Sequence, residues 1–273
     1  SISKAIKLYN LIMPLVKASD LTVFKFGNLS KITWVAHAIS TRTGGMSPPP
    51  YESLNLSWTT GDKKETVLKN RKLFFGMFRK EEDDVVEMKQ VHGDHVAVVG
   101  QAEKGTTVLE RDAIITGTPG VVLLVKSADC VPILLIDPVK RVVGALHAGW
   151  RGTAAEIARL TIDHMEDYFG TRAENVVAGV GPSIGPCCYE IDTPVINAFN
   201  GFSYRDKLFT KQYDDRANFN LWDANKFQLI ERGVKEKNIE VAGICTKDNN
   251  NLFFSDRGLG KPGGRFGGVI FIK

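Results

Sequence analysis

Residues 121–153 read VVLLVKSADCVPILLIDPVKRVVGALHAGWRGT, and this stretch decides the fold. Val121–Lys126 and Val131–Ile136 are apolar at nearly every position, which is typical of buried strands. The Asp-Pro pair at 137–138 predicts a turn, and Arg141–His147 then resumes as a strand. The segment therefore predicts three successive strands, of which the first two are buried.

A helix is predicted over Ala154–Phe169, directly after these strands. Thr153 and Glu156 have the spacing of a capping box, in which each side chain accepts a hydrogen bond from a free backbone N–H. Apolar and aromatic residues recur at helical spacing through this segment, and Gly170 suits its C-terminal stop.

Outward from this centre, the chain keeps alternating between strand-like and helix-like segments. Val85–Val99 predicts two strands that turn at Gly93-Asp94. Other strands are predicted at Lys31–Ile39, Asn175–Val180, Glu240–Cys245, Leu252–Ser255 and Gly268–Ile272. Further helices are predicted at Asp192–Phe199 and Leu221–Arg232. Because strands outnumber helices and several neighbours look hairpin-linked, an α+β fold with mixed β-sheets is favoured over a doubly wound parallel sheet.

The composition is that of an ordinary globular protein. The 273 residues are 43% hydrophobic and 24% charged, which excludes disordered, collagen-like and coiled-coil chains. The net charge of +4 comes from scattered basic residues, so no nucleic-acid partner is expected, although an anionic substrate would be tolerated. No apolar run approaches the roughly 18 residues of a membrane span, so no membrane partner is expected. With no repeat or linker, residues 1–273 are expected to form a single domain.

The cysteines and histidines narrow the compartment and the metal chemistry. The four cysteines contain no Cys-x-x-Cys pair, and a chain of this length does not need a disulfide scaffold. Together with the lack of a signal-peptide core, this predicts a reducing, cytoplasmic location. Only five histidines are present, which limits any copper chemistry.

Three segments place a soft or imidazole ligand at a strand end beside small residues. They centre on His92 in KQVHG, Cys130 in SADCVP and His147 in LHAGWRG. Two histidines, one cysteine and a water form a recognised catalytic zinc arrangement. From spacing alone the alternatives stay open, because a buried cysteine is usually a small hydrophobic residue and a lone histidine is usually structural.

The other histidines are interpreted as bystanders. His95 is expected across the turn on the surface, His37 is expected to be structural within a strand, and His164 is interpreted as a partly buried helix residue. Arg151 stands near the predicted helix start at Thr153, where free N–H groups favour an anion, although a surface ion pair explains this arginine equally well.

One further segment is dense in glycine and proline. Gly181–Glu190 follows an apolar strand and predicts a rigid loop that either lines a pocket or forms a structural turn.

Taken together, these segments resemble the laccase-domain family, also called multicopper polyphenol oxidoreductases. The matching stretches are STRTGG…PYESLNLS (Ser40–Ser57), KQVHG, SADCVP, HAGWRGT, GPSIGPCCYEID and CT…FFSDR (Cys245–Arg257). The resemblance runs from about Trp34 to the C-terminus, so residues 1–30 lie outside it and receive no function. It implies a mixed β-sandwich flanked by helices, and a zinc-dependent purine nucleoside phosphorylase that also deaminates adenosine.

The resemblance also assigns residues. The metal ligands fall on His92, Cys130 and His147, which are also the expected catalytic residues together with Asp129, a general acid/base or an orienter of a ligand histidine. The substrate- and phosphate-binding residues are expected at Arg42, Asn55, Gln90, Arg151 and Arg257. One departure concerns Arg257, because the chain reads Ser-Asp-Arg where the family usually has an aromatic residue and paired arginines.

The expected substrates are adenosine, inosine and methylthioadenosine with inorganic phosphate, and the expected cofactor is Zn²⁺ rather than copper. A four-copper oxidase needs about ten histidines, twice what the chain has. A second alternative is a metal-free hydrolase with Cys130 as nucleophile and His147 or His92 as base, which metal content would distinguish. The sequence leaves the preferred nucleoside and the oligomeric state open.

Overall fold

A computed structural model of the protein describes residues 15–18, 21–213 and 215–273. The stretch 1–30, to which the sequence assigns no function, lies partly outside the described residues at 1–14 and 19–20. Its remaining part belongs to the fold, because Leu15–Ala18 and Leu21–Phe24 pair as antiparallel strands.

The strands form two large mixed sheets and one small one. The seven-stranded sheet has the order Leu15–Ala18, Leu21–Phe24, Val35–Ser40, Phe266–Ile272, Val122–Ser127, Val85–Met88 and Thr107–Val108. The six-stranded sheet has the order Ile239–Val241, Val177–Val180, Val131–Asp137, Val142–Ala148, Ala113–Thr116 and Val96–Val98. The three-stranded sheet has the order Glu190–Asp192, Arg216–Phe219 and Phe209–Tyr213. Parallel and antiparallel pairs occur in both large sheets, which confirms the α+β class with mixed sheets.

Helices cover the outer faces of the two large sheets. Within the described ranges, the α-helices are Gly27–Ser30, Lys64–Gly76, Trp150–Ala154, Ile157–Phe169, Thr193–Ala198, Leu221–Glu231 and Asp256–Leu259. Ile157–Phe169 and Leu221–Glu231 pack on the six-stranded sheet. Lys64–Gly76, which the sequence reading missed, packs Phe74 and Phe75 on the seven-stranded sheet.

The strand Val131–Asp137 shows why its apolar run is continuous. Leu134 and Ile136 belong to the core between the two large sheets, whereas Ile133 and Leu135 belong to the core under the helices. All four side chains are fully buried, so both faces of the strand are apolar. The sandwich-like core flanked by helices, as expected from the resemblance, is therefore present.

The capping box predicted at Thr153 and Glu156 is wrong. The buried Thr153 side chain contacts Asn225 instead, and Glu156 has a left-handed backbone with its side chain on Arg159. The predicted helix is consequently split into Trp150–Ala154 and Ile157–Phe169. Packing against the helix Leu221–Glu231 overrides the local signal, and no helix starts at Thr153 to hold a phosphate.

The two strands predicted within Val85–Val99 are present, but the hairpin that was expected to join them is not, and neither is the strand predicted at 252–255. Val85–Met88 and Val96–Val98 do not form a hairpin, because each pairs in parallel within a different large sheet. The intervening residues cross from one sheet to the other, which carries His92 to the boundary between them. The segment 252–255 is not a strand either; Phe253 and Phe254 are apolar because both are buried in the core.

Among the residues that the structure describes, no helix combines the length and the apolar character needed to cross a bilayer.

His37 is structural, as predicted, and lies in the strand Val35–Ser40. Its Nε2 accepts a hydrogen bond from the Phe26 backbone N–H at 3.0 Å, so the ring must be neutral at that nitrogen. Burial, with a further contribution from the positive charge of Lys25, lowers the pKa of His37 to about 4.

We predict that this histidine makes the fold acid-sensitive. Its pKa is lower in the folded state than its ordinary value of 6.5, so its contribution to stability is complete above pH 6.5 and is lost as the pH falls toward 4. The free energy of unfolding should fall by roughly 3 kcal/mol across that window. Urea titrations of wild type and His37→Gln, whose amide can accept but not protonate, measure the difference. Equal pH dependence in the two proteins would contradict this prediction.

Candidate metal centre and adjoining cavities

The structure brings together the three predicted metal ligands. The nitrogen and sulfur atoms that His92, Cys130 and His147 offer to a metal all lie within 4.8 Å of one another. The two imidazole rings meet edge to face, with centroids 4.8 Å apart. His92 is exposed, Cys130 is half-buried and His147 is buried, so the cluster opens to solvent on one side.

The two sheets supply the ligands from different directions. His92 lies in the segment that crosses between the sheets, after the strand Val85–Met88. Cys130 immediately precedes the strand Val131–Asp137, and His147 lies near the end of its antiparallel neighbour Val142–Ala148. The ligand cluster is therefore built where the two sheets approach each other.

A carboxylate that the sequence did not single out, Asp112, orients the ring of His147 and holds the backbone at His92. The Nδ1 of His147 donates to Asp112 Oδ1 at 2.8 Å, which leaves its Nε2 free for a metal. The same carboxylate accepts the backbone N–H groups of Val91, His92 and Gly93 at 2.8 to 3.0 Å. One buried side chain thus fixes the His147 ring and the loop that carries His92.

The electrostatics of the cluster favour a charged thiolate. Burial would raise the pKa of Cys130, but the neighbouring His147 and His92 lower it to about 6. Burial would likewise lower the pKa of His147, but Cys130 and Asp112 raise it to about 9. Burial also acts to raise the pKa of Asp112, and the hydrogen bonds from His147 and backbone amides hold it below its ordinary value.

Two glycines of the HAGWRG segment leave room for the cluster. A Cβ on Gly149 would lie 3.0 Å from both Cys130 Sγ and His92 Cδ2, and one on Gly152 would lie 2.7 Å from the Gly93 carbonyl oxygen. Side chains at these positions would displace the ligands, which explains the small residues beside His147.

Two non-glycine residues at the cluster have a left-handed backbone. The φ angles are 62° at His92 and 92° at Asp129. This conformation is uncommon for such residues and persists only where surrounding contacts hold it. Here the contacts are the amides bound by Asp112 at one residue and the hydrogen bonds of the Asp129 carboxylate at the other.

Two cavities meet at the cluster. The larger, about 510 Å³, includes Trp58, Gln90 and Lys126 in its lining. The smaller, about 400 Å³, includes Arg151 and Tyr189. The residues that line both are His92, Ala128, Cys130, Asp256 and Lys261. A small molecule that spans both cavities would therefore pass over two of the three ligand residues.

Three of the predicted substrate residues line these cavities. Gln90 lines the larger one, but its amide both donates to and accepts from the Lys126 backbone, so it shapes the wall. Arg151 lines the smaller one with its guanidinium 4.2 Å from the Trp150 ring. Arg257 lines it too and donates to the Glu190 carbonyl oxygen at 3.1 Å.

Arg42 and Asn55, predicted to bind substrate, line neither of these two cavities. Arg42 is buried and donates to the backbone oxygens of Glu52 and Asn250. Asn55 is fully buried, and its Oδ1 accepts the backbone N–H of Arg265, whose side chain lines the larger cavity. Both residues hold loops around the site.

Asp129 lines the smaller cavity with its carboxylate already engaged. One oxygen accepts from the Thr246 hydroxyl at 2.7 Å, and the other accepts the Arg257 backbone N–H at 2.8 Å. Asp129 therefore organises neighbouring loops, and the carboxylate that orients a ligand histidine is Asp112 rather than Asp129.

The larger cavity also contains charges that the sequence reading did not select. Lys126 lies near the end of an otherwise apolar strand and pairs with the buried Glu87. Arg71, itself buried, reaches Glu87 at 3.3 Å and Glu82 at 2.5 Å. Lys126 could have been found in the sequence, because it is a lysine within an otherwise apolar predicted strand. Asp112 could not, because nothing in the segment Glu-Arg-Asp sets it apart from an ordinary surface carboxylate.

Comparisons with known proteins identify the family of the chain. Residues 36–273 match the family described as multi-copper polyphenol oxidoreductase laccase, and the chain belongs to that family. A Bacteroides thetaiotaomicron protein named purine nucleoside phosphorylase is 36% identical over 262 residues, covering 93% of this chain and 97% of the relative. A protein from an unknown prokaryote, named adenosine deaminase RL5, is 33% identical over 232 residues, covering 82% and 88%. This chain and each of the two relatives therefore match over most of their lengths.

Solved structures confirm the fold. The crystal structure of the Bacillus licheniformis hypothetical protein YfiH matches with a TM-score of 0.89 and 30% identity, covering 95% of this chain and 99% of that one. The structure of YlmD from Geobacillus stearothermophilus matches with a TM-score of 0.89 and 28% identity, covering 96% and 99%.

We predict that Asp112→Asn weakens zinc binding at the His92–Cys130–His147 cluster by roughly 10- to 100-fold, because removal of an orienting carboxylate typically has that effect. Competition with a chromogenic chelator measures the affinity. The matched control is Asp94→Asn, which makes the same change at a half-buried aspartate that lies beside His95 and outside the cluster. Circular dichroism checks that both variants fold, and unchanged affinity in a folded Asp112→Asn protein would contradict the assigned role.

Proposed function

We propose that the protein is a zinc-dependent purine nucleoside phosphorylase acting on adenosine, inosine and methylthioadenosine, with adenosine deamination as a second activity. The observation that carries the proposal is the meeting of His92, Cys130 and His147 at the boundary of two cavities. Relatives named purine nucleoside phosphorylase and adenosine deaminase support it.

The donor set suits zinc. Two imidazoles and a thiolate supply three protein ligands and leave a fourth position open, as catalytic zinc sites do. The depressed pKa of Cys130 keeps the sulfur ready to ligate, and Asp112 fixes one histidine nitrogen toward the cluster. When bound, the ion would act as a Lewis acid and lower the pKa of a bound water.

The remaining histidines argue against a multicopper centre. His37 is bound to the Phe26 amide, His164 Nδ1 contacts the Leu160 carbonyl oxygen, and His95 is exposed. Only two of the five histidines therefore join the cluster, and the described part of the chain holds too few histidines for a four-copper centre. The metal-free Cys–His hydrolase is the remaining alternative, and a measurement of the zinc content of the purified protein decides between the two.

The two cavities offer different surroundings for the parts of a nucleoside. Trp58 in the larger cavity provides an aromatic face for the flat purine base. Arg151 and Arg257 give the smaller cavity two guanidinium groups, beside Lys261, which lines both cavities, and arginine binds two phosphate oxygens at once. We place the base in the larger cavity and the phosphate in the smaller, with the ribose between them beside the cluster.

With the substrates placed in this way, the side chains would promote the reaction by positioning the substrates and stabilising charge. In phosphorolysis a phosphate oxygen bonds to the anomeric carbon, the bond from that carbon to the base breaks, and the base leaves with a proton. Arg151 and Arg257 would hold the phosphate against the sugar and neutralise its charge. Gln90, fixed on the Lys126 backbone, would keep the wall of the base cavity in place.

We expect Cys130→Ala to lose one equivalent of zinc per chain relative to wild type, together with both activities, because a thiolate is the strongest single ligand in the set. His95→Ala is the decoy control, since its side chain is 67% exposed and lies outside the cluster. Elemental analysis and product chromatography measure the two effects. Stoichiometric copper without zinc in wild type, or a tenfold loss of activity in His95→Ala, about 1.4 kcal/mol of barrier, would overturn the assignment.

Phosphate dependence provides the test of reaction type. Base release should rise with phosphate and saturate, whereas inosine should form from adenosine without phosphate. Arg151→Ala should slow phosphorolysis by roughly 10- to 150-fold, the cost of one charge-assisted contact, and slow deamination less. Arg172→Ala, at an arginine 72% exposed and paired with Glu174, is the matched control. Base release that ignores phosphate would mean hydrolysis, and equal loss of both activities would assign Arg151 to the fold.

A further inference from the structure

A second cluster of metal-ligating side chains lies outside the site described above. The donor atoms of Cys187, Cys188, Cys245 and Asp248 all lie within 4.8 Å of one another. Cys187 and Cys188 belong to the Gly-Pro loop after the strand Val177–Val180, and the other two follow the strand Ile239–Val241. None of the four belongs to the His92 cluster.

The side chains already converge on one point. The thiol of Cys187 donates to Asp248 Oδ2 at 3.0 Å, and that of Cys188 donates to Oδ1 at 3.1 Å. The Gly185 backbone N–H donates to Cys245 Sγ at 3.3 Å, an interaction that stabilises a negative sulfur. A Cβ on Gly185 would lie 3.1 Å from Cys245 Cβ, so the glycine permits this approach.

The backbone holds the two loops in register without a disulfide. Ser183 and Cys245 form a parallel β-bridge, and the Thr246 N–H donates to the Ser183 carbonyl oxygen at 3.0 Å. The Asn249 N–H donates to the Cys245 carbonyl oxygen at 3.0 Å, which closes the turn that presents Asp248. These main-chain contacts bring together the two loops that carry the four ligands, and they do not depend on a metal.

We propose that Cys187, Cys188, Cys245 and Asp248 form a second metal site, which binds one Zn²⁺ through three sulfurs and one carboxylate oxygen. Four protein ligands close the coordination sphere, as in structural zinc sites. A tetrahedral ion with Zn–S bonds of about 2.3 Å would set the sulfurs roughly 3.8 Å apart, which requires a contraction of at most about 1 Å.

The chemistry of the ligands selects a thiophilic ion. Thiolates favour zinc over magnesium or calcium, which prefer oxygen ligands. Each thiol that ligates releases its proton to solvent, and nothing is oxidised or reduced. Cys187 and Asp248 are exposed and Cys245 is buried, so an ion can enter from solvent and complete its coordination inside.

The position of this site gives the ion a structural role beside the first cluster. The Ile184 N–H donates to the Asp129 carbonyl oxygen at 2.9 Å, and the Thr246 hydroxyl donates to its carboxylate at 2.7 Å. One contact comes from each of the two loops that the ion would join. Asp129 precedes Cys130, so the second ion would brace the loop that carries a ligand of the first.

The test uses the full chain in a non-chelating phosphine reductant, with Zn²⁺ as the probe. After removal of excess metal, wild type should hold two equivalents of Zn²⁺ per chain and Cys130→Ala should hold one. The bound Zn²⁺ should also raise the Tm of Cys130→Ala above that of the same variant without metal. In the Cys130→Ala background, the pair Cys187→Ser and Cys188→Ser should remove that equivalent. Co²⁺ in place of Zn²⁺ should give a thiolate charge-transfer band in Cys130→Ala that the serine pair abolishes.

A milder variant protects the test against misfolding. Asp248→Asn in the Cys130→Ala background should weaken zinc binding about tenfold or more, whereas Asp206→Asn, at a side chain 96% exposed, should not. A folded Cys130→Ala protein that binds no zinc, or a serine pair that keeps its equivalent, would overturn the second site. Because these measurements are made without Cys130, their result is independent of the proposed nucleoside chemistry.

Discussion

The carboxylate of Asp112 is the constraint on which the site depends. It is fully buried and accepts four hydrogen bonds, three from backbone amides at 91–93 and one from His147. It stands directly before the strand Ala113–Thr116 of the six-stranded sheet, while the loop that it holds leaves the seven-stranded sheet. One ionised group therefore links the crossing loop to the six-stranded sheet at the place where the ligands meet. Such a group is stable when buried only because every lone pair direction is used.

The sequence was sufficient for features that local pattern controls. The apolar run Val131–Ile136 predicted a strand buried on both faces, and the strand has helices on one side and the second sheet on the other. Spacing alone left the roles of His92, Cys130 and His147 open. The family resemblance carried by the motifs around them predicted that the three residues would meet, and their donor atoms do. In these cases the signal lies in the same few residues that form the feature.

Features that depend on distant contacts were not predictable in this way. Thr153 and Glu156 have the spacing of a capping box. The Thr153 hydroxyl is nevertheless hydrogen-bonded to Asn225, which lies 72 residues further along the chain in another helix. Val85–Val99 has the pattern of a hairpin, yet its two strands join different sheets. Asp112 carries no motif, because its importance arises only when the crossing loop folds over it. Each of these features is decided by contacts between residues that are far apart in the sequence.

The engaged amides of the crossing loop have a consequence for the motions of the protein. Val91 and His92 are exposed, and exposed loop amides normally exchange their hydrogens with solvent quickly. Here both N–H groups are bound to a buried carboxylate, so exchange requires the loop to leave Asp112. That opening would leave the buried carboxylate of Asp112 without three of its four hydrogen bonds, which makes it costly in free energy. The loop that carries His92 should thus behave in hydrogen exchange as part of the core, although it lies on the surface.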